Sequence, residues 1–242
     1  MERKHFLKSL LMGAASAPAL LTACGKDDVT PTSTTTTTGS GTTTTTTGSG
    51  SCTVAPTETE GPFPTHTPSS YVRSDITDGR TGYKLTAKIT VTNSASSCAA
   101  LGGALVDIWH CDAEGNYSEY GGTGMQSTNY TSVHFLRGRQ TTDSSGLVTF
   151  TSIFPGWYSG RATHIHVHVY NASGTSLKVT QIAFPEGTGT ALAAVNGYAK
   201  GMTGYTYNKS DNVFSDDTAG VEIATVTGNT TDGFVLTFNL AV

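Results

Sequence analysis

Residues His164-Ile165-His166-Val167-His168-Val169 alternate imidazole and aliphatic side chains without a break. Successive side chains of a β-strand point to opposite faces, so the run predicts a strand with three histidines on one face and Ile165, Val167 and Val169 on the other. The alternation alone has two readings: the polar face of an antiparallel sheet, or adjacent ligand positions, since two imidazoles two residues apart on a rigid strand suit neighbouring sites on a metal ion. Tyr158 stands six residues upstream of His164, on a turn opened by Pro155-Gly156-Trp157, and belongs to no ordinary zinc pattern. Phenolate is a hard oxygen donor suited to a trivalent cation, and the combination points to ferric iron.

Short alternating or β-branched runs recur elsewhere. Lys84 to Thr92, Ala104 to Cys111, Gly146 to Ile153, Thr163 to Tyr170, Leu177 to Phe184 and Gly233 to Ala241 all predict strands. Turn residues punctuate them at Asp112-Ala113-Glu114-Gly115-Asn116, Asp143-Ser144-Ser145-Gly146 and Asn171-Ala172-Ser173-Gly174. One short helix is expected, over Ala191 to Lys200. The fold class that follows is all-β, an antiparallel β-sandwich with one short helix.

The first 51 residues read differently. Arg3 and Lys4 precede an apolar stretch from Leu10 to Leu21, the pattern of a secretory signal peptide over residues 1–23. Its ending, Leu21-Thr22-Ala23-Cys24, resembles a bacterial lipobox, in which Cys24 becomes the lipidated first residue; the alternative is ordinary cleavage beside a chance cysteine. Arg3-Lys4 is not a twin-arginine pair, so the general secretory route is expected. Residues 24–51 are dominated by Thr, Ser and Gly, with too few apolar side chains to offset the entropy of ordering, and predict a flexible tether. The expected location is that of an exported bacterial lipoprotein, anchored at Cys24 on the periplasmic or extracellular side of a membrane.

Residues 52–242 then form one domain of adequate core size. A net charge of −4 without a basic run argues against nucleic acid as a partner. In an oxidising compartment one disulfide is expected; Cys52 and Cys98 flank loops at the start of the domain and are paired here, leaving Cys111 as a buried free thiol.

Several segments, in order, carry a resemblance. Thr59-Glu60-Gly61-Pro62-Phe63 is followed by Val106-Asp107-Ile108-Trp109-His110-Cys111-Asp112-Ala113 and Gly115-Asn116-Tyr117-Ser118. Phe135-Leu136-Arg137-Gly138 with Thr142-Asp143 comes next, then Pro155-Gly156-Trp157-Tyr158-Ser159-Gly160-Arg161 and His164-Ile165-His166, with Gln181 and Phe184-Pro185 closing the series. Together they resemble the intradiol ring-cleavage dioxygenases, the group of the protocatechuate and catechol dioxygenases, over roughly residues 52 to 240. The resemblance implies an Fe(3+) cofactor held by Tyr117, Tyr158, His164 and His166, with Tyr158 and His164 as an axial pair. It also implies Arg161, Tyr158 and Gln181 as the catalytic side chains, Arg161 stabilising developing negative charge on the substrate. The implied partners are a catecholic small molecule and O2, and the implied reaction opens the ring between the hydroxyls to a muconate-type diacid. Family members are often oligomers, and an exposed sandwich edge would permit that.

His168 shares the face of His164 and His166 but lies about 6–7 Å farther along the strand, outside the expected ligand set. His110 and His134 lack ligand spacing and are expected to be structural, and Gly61-Pro62-Phe63 is expected to line the pocket mouth. Two other functions stay open on sequence: an exported catecholate- or iron-binding sandwich without turnover, and a structural surface domain on a Thr-rich stalk.

Overall fold

The computed structural model describes residues 52–242 except Thr123. The expected signal peptide, lipidated Cys24 and tether lie outside the described residues. In chain order the strands are β1 (Lys84–Asn93), β2 (Ala99–Ala100), β3 (Leu105–Trp109), β4 (Arg137–Thr141), β5 (Leu147–Ile153), β6 (His164–Tyr170), β7 (Ser176–Ala183), β8 (Thr225–Asn229) and β9 (Gly233–Ala241). Among the described residues a single α-helix, α1 (Ala191–Val195), lies between β7 and β8.

Two sheets form the expected all-β sandwich. In the first, β1 is central: β5 and then β2 pair along one edge, and β9 followed by β8 along the other. The second is β4-β3-β6-β7. Every named pair is antiparallel except β1–β9, which is parallel. The period-two pattern explains the layers. Leu85, Ala87, Ile89 and Val91 of β1 point inward, while Lys84 and Lys88 face water. They meet Val106, Ile108, Ile165, Val167, Val169 and Ile182 from the second sheet in one continuous apolar core. Each of these Leu, Ile and Val side chains contributes about 1.5–3 kcal/mol on burial.

Three strands were not expected from sequence. β4, Arg-Gly-Arg-Gln-Thr, has no apolar alternation, yet Arg137 is 1% exposed, held by polar partners rather than by the core. β2 is two residues long, and β8 is an exposed edge strand containing Gly228. The helix is shorter than expected: Asn196 takes a left-handed conformation (φ 50°) and caps Leu192, and a 3-10 turn over Tyr198–Lys200 follows. Cys52 and Cys98 form the expected disulfide, with Cα atoms 5.7 Å apart, and Cys111 is a buried free thiol. Closing a loop of this length stabilises the fold by about 4 kcal/mol in the chain-entropy account.

The second sheet is buried on both sides over β3, β6 and the C-terminal half of β7. Its inner face meets the core; its outer face is covered by the chain around residues 54–66 and by the loops after β3 and β5. Glu58 N–H donates to the Val179 carbonyl (2.9 Å), and Lys178 Nζ donates to the Ala55 carbonyl (2.8 Å), fixing that N-terminal strap across β7. The free edge of β7 is covered by residues 222–224 through Ala183 N–H to the Glu222 carbonyl (2.8 Å) and Ala224 N–H to the Ala183 carbonyl (3.0 Å). The Glu222 side chain is thereby fully buried; Oε1 accepts from Thr180 Oγ1 (3.3 Å), and Oε2 has no partner.

Two consequences are measurable. Gly138 of β4 sits where a Cβ would collide with Ile76 and crowd the Arg73 carbonyl, so Gly138→Ala should lower stability by about 1–3 kcal/mol in denaturant titration. An unchanged midpoint would mean the backbone there yields freely. Burial, with Glu58 and Asp217 nearby, pushes the Glu222 carboxyl up to about 8 from its ordinary 4.5. The folded state therefore keeps a proton that the unfolded chain releases; this stabilisation is complete below about 4.5 and is lost as pH rises through about 8. Glu222→Gln should flatten the fall in melting temperature between those values, and a slope equal to wild type would refute the buried neutral acid.

Candidate metal centre

One row of paired residues crosses the outer face of the second sheet: Arg137 on β4, Trp109 on β3, His166 on β6 and Gln181 on β7. His164 lies two residues from His166 on the same face of β6. The two tyrosines arrive from loops. After β3, the Asp112 carboxylate accepts from Glu114 N–H (3.1 Å) and Asn116 N–H (2.9 Å), turning the chain toward Tyr117. This turn lies against the segment holding Tyr158: Gly156 N–H donates to the Asp112 carbonyl (3.0 Å), and at Gly115 (φ 91°) a Cβ would strike the Trp157 carbonyl. Glycine is required there both for the left-handed backbone and for the approach. Gln126 then pins Tyr117 as a strand partner would, accepting from its N–H (2.7 Å) and donating to its carbonyl (2.8 Å).

Three side-chain atoms converge. Tyr117 Oη lies 3.2 Å from His164 Nε2 and 3.3 Å from His166 Nε2, and the two nitrogens are 3.0 Å apart. All three residues are buried. His164 Nδ1–H donates to the Ala162 carbonyl (2.6 Å), which leaves its Nε2 as a lone pair facing the cluster. His166 stacks on Trp109, ring centroids 4.9 Å apart at 2°, and a Cβ on Gly61 (φ 71°) would press into its edge. Burial, reinforced for His166 by the neighbouring His164, keeps both imidazoles neutral: His164 falls to about 3 and His166 well below its ordinary value. Burial also pushes the Tyr117 phenol well above its ordinary range. Neutral imidazole lone pairs and a phenol oxygen meeting at one point could hold a cation. Among the described residues no cluster of three or more His, Cys, Asp or Glu is placed to hold a metal, so a centre here depends on tyrosine oxygen.

Tyr158 borders this point. Its ring is edge-on to Tyr117 (5.7 Å) and to His164 (5.7 Å), and its hydroxyl accepts from Arg161 Nη1 (3.4 Å). Arg161 donates from Nη2 to Gln181 Oε1 (2.7 Å), and Gln181 Nε2 donates to the Thr59 carbonyl of the N-terminal strap (2.9 Å). Every residue expected at the site from sequence is thus brought together. Phe63 stacks on Tyr117 with centroids 4.7 Å apart, so Gly61-Pro62-Phe63 forms a wall of the site.

The remaining histidines are engaged elsewhere. His110 donates from Nδ1 to the Cys111 carbonyl (2.8 Å) and accepts at Nε2 from Ser152 Oγ (2.7 Å); both nitrogens are used in structure. His134 meets Glu119 Oε1 (3.1 Å), and His168 meets Glu60 Oε1 (2.9 Å) and Ser176 Oγ (2.7 Å), away from the convergence point. Sequence reasoning missed Gln126, Asp211 and the buried Glu119. All three lie in turn-rich stretches without periodicity, where no local pattern separates a buried polar side chain from a solvated one.

The sequence profile of the Dioxygenase family matches residues 60–213. No curated protein matches the chain. Among solved structures, an intradiol ring-cleavage dioxygenase from Tetranychus urticae is 29% identical, with a TM-score of 0.68 over 78% of this chain and 94% of that one. The dioxygenase domain of a dioxygenase carbohydrate-binding protein fusion from the cellulolytic bacterium Streptomyces sp. SirexAA-E is 27% identical, with a TM-score of 0.56 over 78% of this chain and 98% of that one. Hydroxyquinol 1,2-dioxygenase from Pseudomonas putida DLL-E4, at 15% identity and a TM-score of 0.53 over 79% of this chain and 67% of that one, shares the fold. The chain belongs to the intradiol ring-cleavage dioxygenases, enzymes of the oxidoreductase class.

Proposed function

We propose that Tyr117, Tyr158, His164 and His166 hold a ferric ion, and that the enzyme cleaves a catechol-type diol with dioxygen to a muconate-type diacid. The observation that carries this reading is the meeting of Tyr117 Oη, His164 Nε2 and His166 Nε2, all on buried side chains, within 3.0–3.3 Å. Hydrogen bonding alone serves this cluster poorly. With His164 Nδ1 committed to a carbonyl, the three contacts share at most two hydrogens, and His166 Nδ1 has no partner whichever nitrogen bears its proton. A cation among the three atoms engages all of them, and phenolate oxygen beside imidazole suits Fe(III). When bound, the ion would supply Lewis acidity that activates a catechol-type substrate toward dioxygen.

The chain's own groups do the rest. Tyr158, half-buried and hydrogen-bonded to Arg161, is the one tyrosine of the pair open enough to meet an incoming substrate and take up a hydroxyl proton at Oη. Arg161 holds a fixed positive charge beside the same point, where negative charge develops on the substrate. Phe63, stacked on Tyr117, and Trp109, stacked on His166, shield those two rings from water. The export signal expected from sequence fits extracellular phenolics, such as plant-derived catechols, better than an intracellular aromatic-acid pathway. The Streptomyces relative, a fusion to a carbohydrate-binding protein in a cellulolytic organism, supports that substrate class.

Iron-loaded protein should show a visible tyrosinate charge-transfer band that shifts when catechol is added under nitrogen and decays when air is admitted, with dioxygen consumed. A shifted band that persists in air would contradict turnover, and no band in folded, iron-treated protein would refute the ligand set. Tyr117→Phe should abolish or strongly shift the band and weaken iron retention on the order of 10–100-fold or more, while melting temperature and circular dichroism stay near wild type.

A further inference from the structure

Asp211 is fully buried and sits in none of the strands. Its carboxylate gathers four contacts. Arg161 Nε donates to Oδ2 (2.9 Å) and Oδ1 (3.2 Å), Ala162 N–H to Oδ2 (2.6 Å), and Val213 N–H to Oδ1 (2.9 Å). Both oxygens are therefore used, and both by groups adjoining the metal centre. Ala162 is also the residue whose carbonyl orients His164, and the chain leaving Asp211 carries Phe214, whose ring stands 6.3 Å from His164 and 5.7 Å from the Arg161 guanidinium carbon.

The hydrogen bonds divide the arginine's donors into committed and free. Nε is taken by Asp211, and Nη2 by Gln181, which is tied in turn to the Thr59 carbonyl. Nη1 is left with a long 3.4 Å contact to Tyr158 Oη. A guanidinium is a rigid planar fork, so fixing two of its three nitrogens fixes where the third points. We propose that Asp211 is a positioning residue for ring cleavage: acting through Arg161, it aims Nη1 at Tyr158 Oη and the neighbouring substrate oxygen. An isosteric amide could not substitute, because it offers one accepting oxygen where four contacts need two, and it turns an NH2 toward backbone N–H donors. The pairing also neutralises a buried guanidinium at contact distance.

This inference rests on the ferric dioxygenase reading for its kinetic consequence only, and the test separates the two. Asp211→Asn, Arg161→Gln and the pair are assayed with catechol on iron-loaded enzyme, and the arginine Nε–H signals of the metal-free proteins are followed by nitrogen-15 NMR. Displacing a reacting group's partner by about 1 Å costs about 100-fold, and that is the expected loss in kcat/KM for Asp211→Asn. The pair should be no worse than Arg161→Gln alone, since Asp211 acts through that side chain. In the metal-free wild type the Arg161 Nε–H should exchange slowly with solvent, and in Asp211→Asn it should exchange fast. Losses that multiply in the pair, or an Arg161 signal unchanged by Asp211→Asn, would overturn the proposal. If Asp211→Asn alone does not fold, a folded pair with the kcat/KM of Arg161→Gln supports it, and an unfolded pair makes Asp211 structural and overturns it. Should wild type cleave no catechol, the functional reading fails by itself, and the NMR signal still decides whether Asp211 holds the guanidinium.

Discussion

The two-sided burial of β6 organises this molecule. Ile165, Val167 and Val169 enter the sandwich core, while His164, His166 and His168, on the opposite face, are also withdrawn from water. A buried polar face is costly unless its groups find partners, and the cover over this face supplies most of them, His166 Nδ1 and Trp109 Nε1 excepted. Arg137 shows how. From the floor of the site it donates to the Phe63 carbonyl (3.0 Å), Thr65 Oγ1 (3.1 Å), Ser118 Oγ (2.9 Å) and the Ser118 carbonyl (2.6 Å), with Glu119 Oε2 at 3.5 Å. One buried cation thereby ties the N-terminal strap and the Tyr117 loop to the sheet, and removing it would strand several acceptors at once.

The chemistry inherits this construction. His164 and His166 are placed by a strand, the most rigid element available, and each ring is oriented by a separate device: a carbonyl for His164, an aromatic stack for His166. Tyr117 and Tyr158 come from loops, which alone would place them loosely. Glycine contacts between the two loops and the paired bonds from Gln126 remove that freedom. Arg161 completes the arrangement on a third side, held from opposite ends by Asp211 and Gln181.

Legibility in the sequence tracked which force positioned each residue. Strands held by the core, such as β1, β5 and β6, declare themselves through alternation. β4 does not, because Arg137 and Gly138 are there for polar anchoring and close approach, and neither leaves a hydrophobic period. The expected helix outruns α1 because Asn196-Gly197 is tolerable in a helix interior, whereas Asn196 adopts a left-handed cap. At the site, the histidine pair was visible from spacing. Tyr117 emerged only through family resemblance, since a tyrosine after a Gly-Asn turn is locally indistinguishable from a surface one. Asp211 and Gln126 act across 49 or 50 and 9 residues of chain, respectively, and no short-range pattern reports such partners.

The row Arg137–Trp109–His166–Gln181 uses one position from each strand of the second sheet. A slip of β6 by a single residue would carry His166 into the hydrophobic interior and bring Ile165 or Val167 under the strap. Correct assembly of the site and correct alignment of the sheet are thus a single event. The row acts as a vernier for the fold: the chain cannot settle a notch out of register and still close. Random substitutions along it should therefore surface chiefly as chains that fail to mature, with few well-folded but silent enzymes among them.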